Sequence, residues 1–488
     1  MLSKSTYLRG HQCLKRLWLH KRKPELRDDY SAQQEALFAQ GTSVGELAQQ
    51  LFPGGKDATP ENYYDWKPAF EKTKKWIEQG EEVIYEAAFS FGNVMAALDI
   101  LVRKDGEWHA IEVKSSTGVH EYHKTDCSLQ YWVMNLCGIT PDKFFLMHIN
   151  NQYVRKGQLD VEELFTLEDI TQEVLDRQSE VQPYLTDCFE ILKEKKEPEI
   201  QVGHHCSDPF GCDFMGHCWK HVPNYSVFNI TRIGAKGWDL YEKGIYNIKD
   251  VPNDYPLSEK QTNQVLGEKT RQEVFIKDEI APFIGGWEYP LYFFDFETIG
   301  PAIPIYDGTR PYEQYPFQYS LHVLAQNGTV NHYEFLGNGK LDPRINLIDK
   351  MIRELGRRGS IVTYNMGFEK GKIKALAEAF PMYAEPLLEI NKRVVDLIIP
   401  FRKHWYYKPE MQGSASIKKV LPALIPNLSY SDLEIQEGGT ASATYLAMCE
   451  GTFKGDVQKT RKDLLEYCKL DTWAMVEIYW HLKARLDE

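Results

Sequence analysis

Twice along the chain the apolar pattern changes from helix period to strand period, and this alternation sets what the sequence can fold into. Residues 1–80 read as helical, with apolar positions at helix spacing in GTSVGELAQQLF and ENYYDWKPAFEKTKKWIEQG. From Val83 the chain reads VIYEAAFSFGNVMAALDILVRKDGEWHAIEVKSS, three strand-like runs with Asp105-Gly106 as a tight turn between the second and third. A helix over about His120–Leu136, the strand KFFLMHI and a long charged helix follow, ending in the cysteine-rich HHCSDPFGCDFMGHCW. From Pro290 the strands LYFFDFETI, FQYSLHVLA and VNHYEFL, the last two joined by Asn327-Gly328, precede a helix, the strand SIVTYN and the helix GFEKGKIKALAEAF.

Two sheets imply two cores, and 488 residues exceed the roughly 250–300 at which a single core stops growing. The expected class is a multi-domain α/β protein: a mixed α/β domain over 1–221, a helical connector over 222–285 and a second α/β domain over 286–488. The connector carries FNITRIGAKGWDLYEKGIYNIKDVP, short helices punctuated by Gly234, Gly237 and Gly244, and it resembles a helix-hairpin-helix, a unit that binds backbone phosphate. Composition is ordinary for globular domains, 43% hydrophobic and 26% charged. No apolar run approaches the ~20 residues that span a bilayer, and the first residues lack a signal-peptide pattern, so a cytoplasmic protein without a membrane partner is expected. Nine irregularly spaced cysteines do not form a disulfide framework, and a reducing compartment leaves thiolates free for metal.

A formal net charge of −13 argues against nucleic acid when read globally, but positive charge is local. Residues 1–27 carry Lys4, Arg9, Lys15, Arg16, Lys21, Arg22, Lys23 and Arg27 against Glu25 alone. The stretch 391–419 interleaves lysine and arginine with Trp405, Tyr406 and Tyr407, a composition suited to neutralising phosphates and stacking on bases. Solvated helix faces with core aromatics give the same pattern.

Phosphodiester hydrolysis requires a cation beside the reacting phosphate, so acidic ligands must converge. Asp99 closes the second strand-like run, and Glu112 and Lys114 lie two apart on the third, on one face. Two carboxylates there can hold Mg²⁺ or Mn²⁺ while the Lys114 ammonium orients water or offsets developing charge. An edge-strand salt bridge uses the same residues. The segment resembles the PD-(D/E)xK nucleases of RecB type, a restriction-endonuclease-like α/β fold, and in particular the iron-sulfur branch that includes CRISPR-adaptation and AddB-type nucleases. That resemblance implies metal binding by Asp99 and Glu112 and catalysis by Lys114, with Glu86 as an additional acid. The family's early histidine is replaced by Gly45, and its Gln-x(3)-Tyr helix is reduced to Gln130 with Tyr131 adjacent. The same branch has one early and three late cysteines, here Cys13 with Cys206, Cys212 and Cys218, which implies a structural [4Fe-4S] cluster. A zinc site of four cysteines, or of three with His204, His205 or His217, is the competing set.

Asp295 and Glu297 lie two apart on the apolar strand YFFDFETI, so both emerge on one face of a buried element. Asp471 follows in a helical stretch with Tyr467 four residues earlier, on the same helix face. With VTYNMGFEKGKIKAL these residues resemble the DEDD exonucleases of the DnaQ and RNase D group, an RNase H-like fold, in the tyrosine-containing variant. The resemblance implies two metals held by Asp295, Glu297 and Asp471, with Tyr467 orienting the attacking water. At the fourth position the family's Asn-x-x-Phe-Asp becomes Asn365, Phe368 and Glu369, so a glutamate replaces the aspartate. Asp396 matches a frequent family acid outside the metal quartet.

The whole layout resembles a bacterial family that fuses a RecB-like iron-sulfur nuclease to a DEDD exonuclease. It implies a metal-dependent hydrolase of nucleic acid, DNA before RNA, shortening strands from the 3′ end at the C-terminal site. RNA processing is the first alternative, and a nucleic-acid-binding scaffold with degenerate sites is the second.

Overall fold

A computed structural model describes residues 1–488. The chain is a multi-domain α/β protein of two compact units, Met1–His221 with Pro301–Tyr312, and Val222–Gly300 with Glu313–Glu488. Two expected boundaries change. The segment 222–285 belongs to the second unit, and residues 301–312, expected in the C-terminal domain, belong to the first.

The first unit is built on a seven-stranded sheet, β2-β3-β4-β5-β6-β7, with β1 beside β4. The strands are β1 (Leu2–Ser3), β2 (Lys56–Asp57), β3 (Val83–Phe91), β4 (Val94–Lys104), β5 (Glu107–Lys114), β6 (Lys143–Ile149) and β7 (Phe165–Asp169). β3, β4 and β5 form an antiparallel meander, and β6 joins β5 in parallel after the crossover helix Glu121–Leu136. Asp105 and Gly106, both at positive φ (53° and 89°), make the tight turn that their sequence announces. Apolar side chains cover both faces. One core gathers Leu98, Leu129, Val133 and Cys188, and the other gathers Val44, Ile100, Ile111, Met147 and Phe165. β1 and β2 were expected as helix, but two-residue strands carry no readable period. β7 falls in the stretch expected as charged helix, because only Phe165 of its five residues is buried. Asp99 lies inside β4, not at its end, since pairing with β5 continues to Lys104.

The second unit contains β8 (Val274–Phe275), β9 (Leu291–Ile299), β10 (Tyr315–Leu324), β11 (Val330–Leu336), β12 (Ile361–Thr363), β13 (Val394–Asp396) and β14 (Tyr406–Tyr407). Its main sheet has the order β11-β10-β9-β12-β13, antiparallel from β11 to β9 and parallel from β9 to β13. Strand β9 is central and apolar on both faces, as a strand covered on both sides must be. Tyr292, Phe294 and Phe296 face a core with Leu347, Ile373 and Leu387, while the helix Val457–Asp487 packs on β9 and β10. The former connector forms a small core of its own around Val227, Leu240, Ile248 and Val265.

Both basic stretches are used internally more than the sequence suggests. Lys4 pairs with Glu112, Lys15 with Glu197, and Arg9 and Arg16 with Asp213. Tyr406 and Tyr407 form β14, are 1% and 2% exposed, and are core residues without a face to offer a base.

The segment 301–312 completes the first unit. Ala302 is fully buried, and Ile303 and Tyr312 pack on the core of Val44 and Ile111. Gly308 N donates to Arg155 O at 2.9 Å, Arg155 N to Thr309 O at 3.1 Å, and the Tyr312 hydroxyl to Ser115 O. A fragment 1–221 lacks these contacts. It should lose about 3–5 kcal/mol, the worth of two or three buried apolar side chains, measured as the urea midpoint of the fragment against that of the same unit in the full chain. Equal midpoints would show the segment to be dispensable.

Candidate metal centres

On β9, period two sends Asp295 and Glu297 to the face covered by the helix Val457–Asp487, opposite Phe294 and Phe296. That helix brings Asp471 and, one turn earlier, Tyr467. Glu369 comes from the first turn of the helix Met366–Ala379. Asp295 and Glu369 are hydrogen-bonded to each other. The Tyr430 hydroxyl donates to Asp471 Oδ1 at 2.7 Å, and Tyr467 also hydrogen-bonds Asp471. Ligand atoms of Asp295, Glu297 and Cys468 lie within 4.8 Å of one another. Cys468 is fully buried in the core, and its sulfur is too soft to compete with carboxylates for a hard cation.

Burial dominates the electrostatics of this cluster. It pushes the Glu297 carboxyl up to about 8, with Asp471 adding to the rise, and the Glu369 carboxyl up to about 8. Asp295 is raised by burial and then by Asp471, Glu369 and Glu297. Asp471 is raised less, to about 6, because Tyr430 and Lys418 oppose the effect of burial. Lys418 is the cation that lowers both Glu297 and Asp471, and its Nζ sits 5.7 Å from the ring centres of Tyr430 and Tyr467. Glu369 Oε2 is buried without a partner. Four carboxyl groups with one nearby ammonium make a donor set that suits a hard divalent cation. Asp396 adds to the rise of Glu369 but is bonded elsewhere: its Oδ1 accepts from Asn365 N at 2.9 Å and Ile398 N at 3.2 Å. Those bonds hold Asn365 at φ 89°, a left-handed conformation that asparagine tolerates, where the helix bearing Glu369 begins.

In the first unit Glu112 and Lys114 share one face of β5, and Asp99 reaches the same place from β4. Asp99 Oδ2 accepts from Val113 N at 2.6 Å. Glu112 is 1% exposed, and its Oε1 accepts from Lys114 Nζ at 2.7 Å and Lys4 Nζ at 2.8 Å. Lys114 also donates to Asp126 Oδ2 at 2.8 Å. Glu86 sits at φ 51°, the one break in the β3–β4 ladder, opposite Asp99. Burial, with Asp99 next, pushes Glu86 up to about 8, and burial with Glu112 pushes Asp99 up to about 6. Burial would raise Glu112 too, but Lys114 and Lys4 outweigh it and bring the carboxyl down to about 2. Glu112 Oε2, Asp126 Oδ1 and both amide atoms of Gln130 are buried without partners.

Cys13 lies between the helices Lys4–Gln12 and Leu14–Arg22, and one cavity is lined by Cys13, Cys206, Cys212 and Cys218 together with Lys15 and Arg16. Cys212 N donates to Cys206 O at 2.8 Å. Burial pushes the Cys212 thiol up to about 12 and the Cys218 thiol to about 11. Four cysteines lining one cavity beside two basic residues make a set that suits an anionic metal–thiolate group. His217 is bonded to Glu197 at 3.0 Å instead.

Four residues of these sites escape sequence reading: Tyr430, Lys418, Asp126 and Lys4. Asp126 left a signal four residues before Gln130 on one helix face, Lys4 and Lys418 showed only as basic-stretch residues, and Tyr430 arrives by tertiary packing.

The raised carboxyls carry a stability consequence. Glu297, Glu369 and Asp471 are raised in the folded chain to about 8, 8 and 6, so the folded state binds more protons than the unfolded state across that window. The contribution of these carboxyls to stability without divalent cation is therefore fullest below about pH 4, where they are protonated in both states, and is lost as pH rises to about 8. The melting temperature in EDTA should drop by roughly 2–4 °C or more over this range and recover with millimolar Mn²⁺. A pH-flat melting curve that Mn²⁺ leaves unmoved would contradict this.

Comparison with known proteins adds family relations. Residues 292–416 match the model of a domain of unknown function, DUF2779, a stretch that includes Asp295, Glu297, Glu369 and Asp396 and ends before Tyr467 and Asp471. The chain is 28% identical over 298 residues to "Uncharacterized protein UU173" of Ureaplasma parvum, covering 55% of this chain and 43% of that protein. It is 22% identical over 393 residues to "Uncharacterized protein MG366 homolog" of Mycoplasma pneumoniae, covering 70% of this chain and 59% of the relative. The chain thus spans about half the length of these curated relatives.

Proposed function

We propose that the protein is a metal-dependent nuclease with two centres: an exonuclease site of DEDD type in the second unit, and a PD-(D/E)xK site in the first. The observation that carries this reading is the convergence of Asp295, half-buried, with the buried Glu297, Glu369 and Asp471, with Lys418 as nearby cation. Carboxylates buried in this way are costly unless a metal meets them. The order β11-β10-β9-β12-β13, with β9 central and the acids on its helix-covered face, supports an RNase H-like domain. The meander β3-β4-β5 followed by a crossover helix and parallel β6 supports a restriction-endonuclease-like one.

Divalent cations, when bound, would neutralise charge on the scissile phosphate and acidify an attacking water. The residues do the rest. Asp295, Glu297, Glu369 and Asp471 supply oxygen donors, and the added methylene of Glu369 lets its carboxyl reach Asp295. Tyr430 and Tyr467 both bond Asp471, and Tyr467, one helical turn before it, would orient the attacking water. Lys418 offers an ammonium to the substrate phosphate. In the first unit Asp99 and Glu112 supply donors, and Lys114, held between Glu112 and Asp126, aims a fixed positive charge at the reacting phosphate. Cys13, Cys206, Cys212 and Cys218 would hold a [4Fe-4S] cluster, with zinc as the rival, tying the N-terminal helices to segment 206–218.

The deciding assay is a Mn²⁺-dependent time course on 5′-labelled single-stranded DNA. The intact protein should give a ladder shortening from the 3′ end, with Asp295→Ala lowering the rate roughly a hundredfold or more and Lys114→Ala sparing it. Loss only with Lys114→Ala would make the first unit dominant. Cleavage of RNA alone would change the substrate, and cleavage of neither would leave a binding protein. Anaerobically purified protein should absorb broadly at roughly 400 nm, with loss of the band on Cys→Ser change of the four cysteines; stoichiometric zinc and no colour would overturn the cluster.

A further inference from the structure

Lys4 enters the first unit's acid cluster from outside the strands that carry it. It is the first residue of the helix Lys4–Gln12, and the preceding β1 pairs with β4, the strand of Asp99, through Leu2↔Val94 and Ser3↔Met95. This pairing pins the start of the helix beside the acids. Lys4 Nζ is 2.8 Å from Glu112 Oε1 and 3.9 Å from Asp99 Oδ1, between the two carboxylates that a cation would share.

The two lysines of the cluster differ in what each would keep if a cation took those oxygens. Lys114 retains Asp126 at 2.8 Å. The carboxylates paired with Lys4 are Asp99 and Glu112, both of which the cation would claim. The Lys4 side chain is 26% exposed, so it borders solvent.

We propose that Lys4 is a second functional lysine of this site, standing in for the divalent cation between Asp99 and Glu112 and turning to the substrate phosphate when the cation binds. This rests on the cation-site reading of Asp99 and Glu112. An ammonium within hydrogen-bonding reach of Glu112 and a Mg²⁺ or Mn²⁺ at about 2.1 Å from carboxylate oxygens compete for the same lone pairs. The displaced ammonium then lies beside the cation, where a bound phosphate presents its free oxygens.

The test is Mn²⁺ affinity, read by the electron paramagnetic resonance of free Mn²⁺, in full-length protein carrying Asp295→Asn and Asp471→Asn to silence the other centre. Lys4→Met should tighten binding about tenfold, because the competitor is gone, and raise KM for DNA. Lys4→Arg, whose fork holds carboxylates bidentately, should weaken binding several-fold and keeps the test decisive if the methionine variant does not fold. Glu112→Gln should abolish binding at this site. Unchanged affinity in Lys4→Met or Lys4→Arg, with loss in Glu112→Gln, overturns the role of Lys4 and leaves the cation site standing. Unchanged affinity in Glu112→Gln overturns the cation site and the role of Lys4 together.

Discussion

A carboxylate set into the middle of an apolar strand costs several kcal/mol unless positive charge or hydrogen bonds meet it, and this chain does so on both of its two larger sheets. On β9, Asp295 and Glu297 interrupt a run whose other residues build the core of the second unit. On β5, Glu112 sits in a strand buried among Ile111 and Val113. Much of the surrounding structure is arranged to tolerate these acids. The helix Val457–Asp487 adds a further acid, Asp471, and the groups that meet it are Tyr430 and Tyr467, which bond it, and Lys418, which approaches from a neighbouring helix.

The two clusters meet the same cost by different means. In the first unit Lys4 and Lys114 converge on one oxygen of Glu112 and hold its carboxyl down to about 2, while Asp99 and Glu86 remain raised. In the second, the nearest cation is Lys418, and the carboxyls share hydrogen bonds among themselves and with tyrosines. Such a site is, on the proposed reading, poised for an incoming cation at the expense of stability. On the proposed reading, the first unit carries its own stand-in charge and the second depends more heavily on metal.

How much of this was legible in the sequence follows from the length scale of each signal. Asp295 with Glu297 and Glu112 with Lys114 were readable because strand period is two, and a charged pair in an apolar run stands out. Tyr467 with Asp471 was readable because helix neighbours lie four apart. The long strands β6, β9, β10 and β11 declared themselves by composition. The two-residue strands β1 and β2 and the half-exposed β7 did not, because so few residues define no period. Lys4 and Lys418 showed only as members of the two basic stretches, and Tyr430, which arrives through tertiary packing, left no local mark. Neither did the return of residues 301–312 to the first unit, where Ile303 and Tyr312 find a core far from them in sequence. Tyr406 and Tyr407 misled for a related reason, since an aromatic among lysines reads the same whether it faces solvent or the core.

The most direct measurement of whether these acids are metal centres is anomalous diffraction at the manganese edge from crystals of the full-length protein soaked in Mn²⁺. The expected result is anomalous density bridging Asp295 and Asp471 in the second unit and a separate peak between Asp99 and Glu112 in the first, with Lys4 turned away. Maps without a peak at either cluster at saturating Mn²⁺ would contradict the assignment of both as catalytic metal sites.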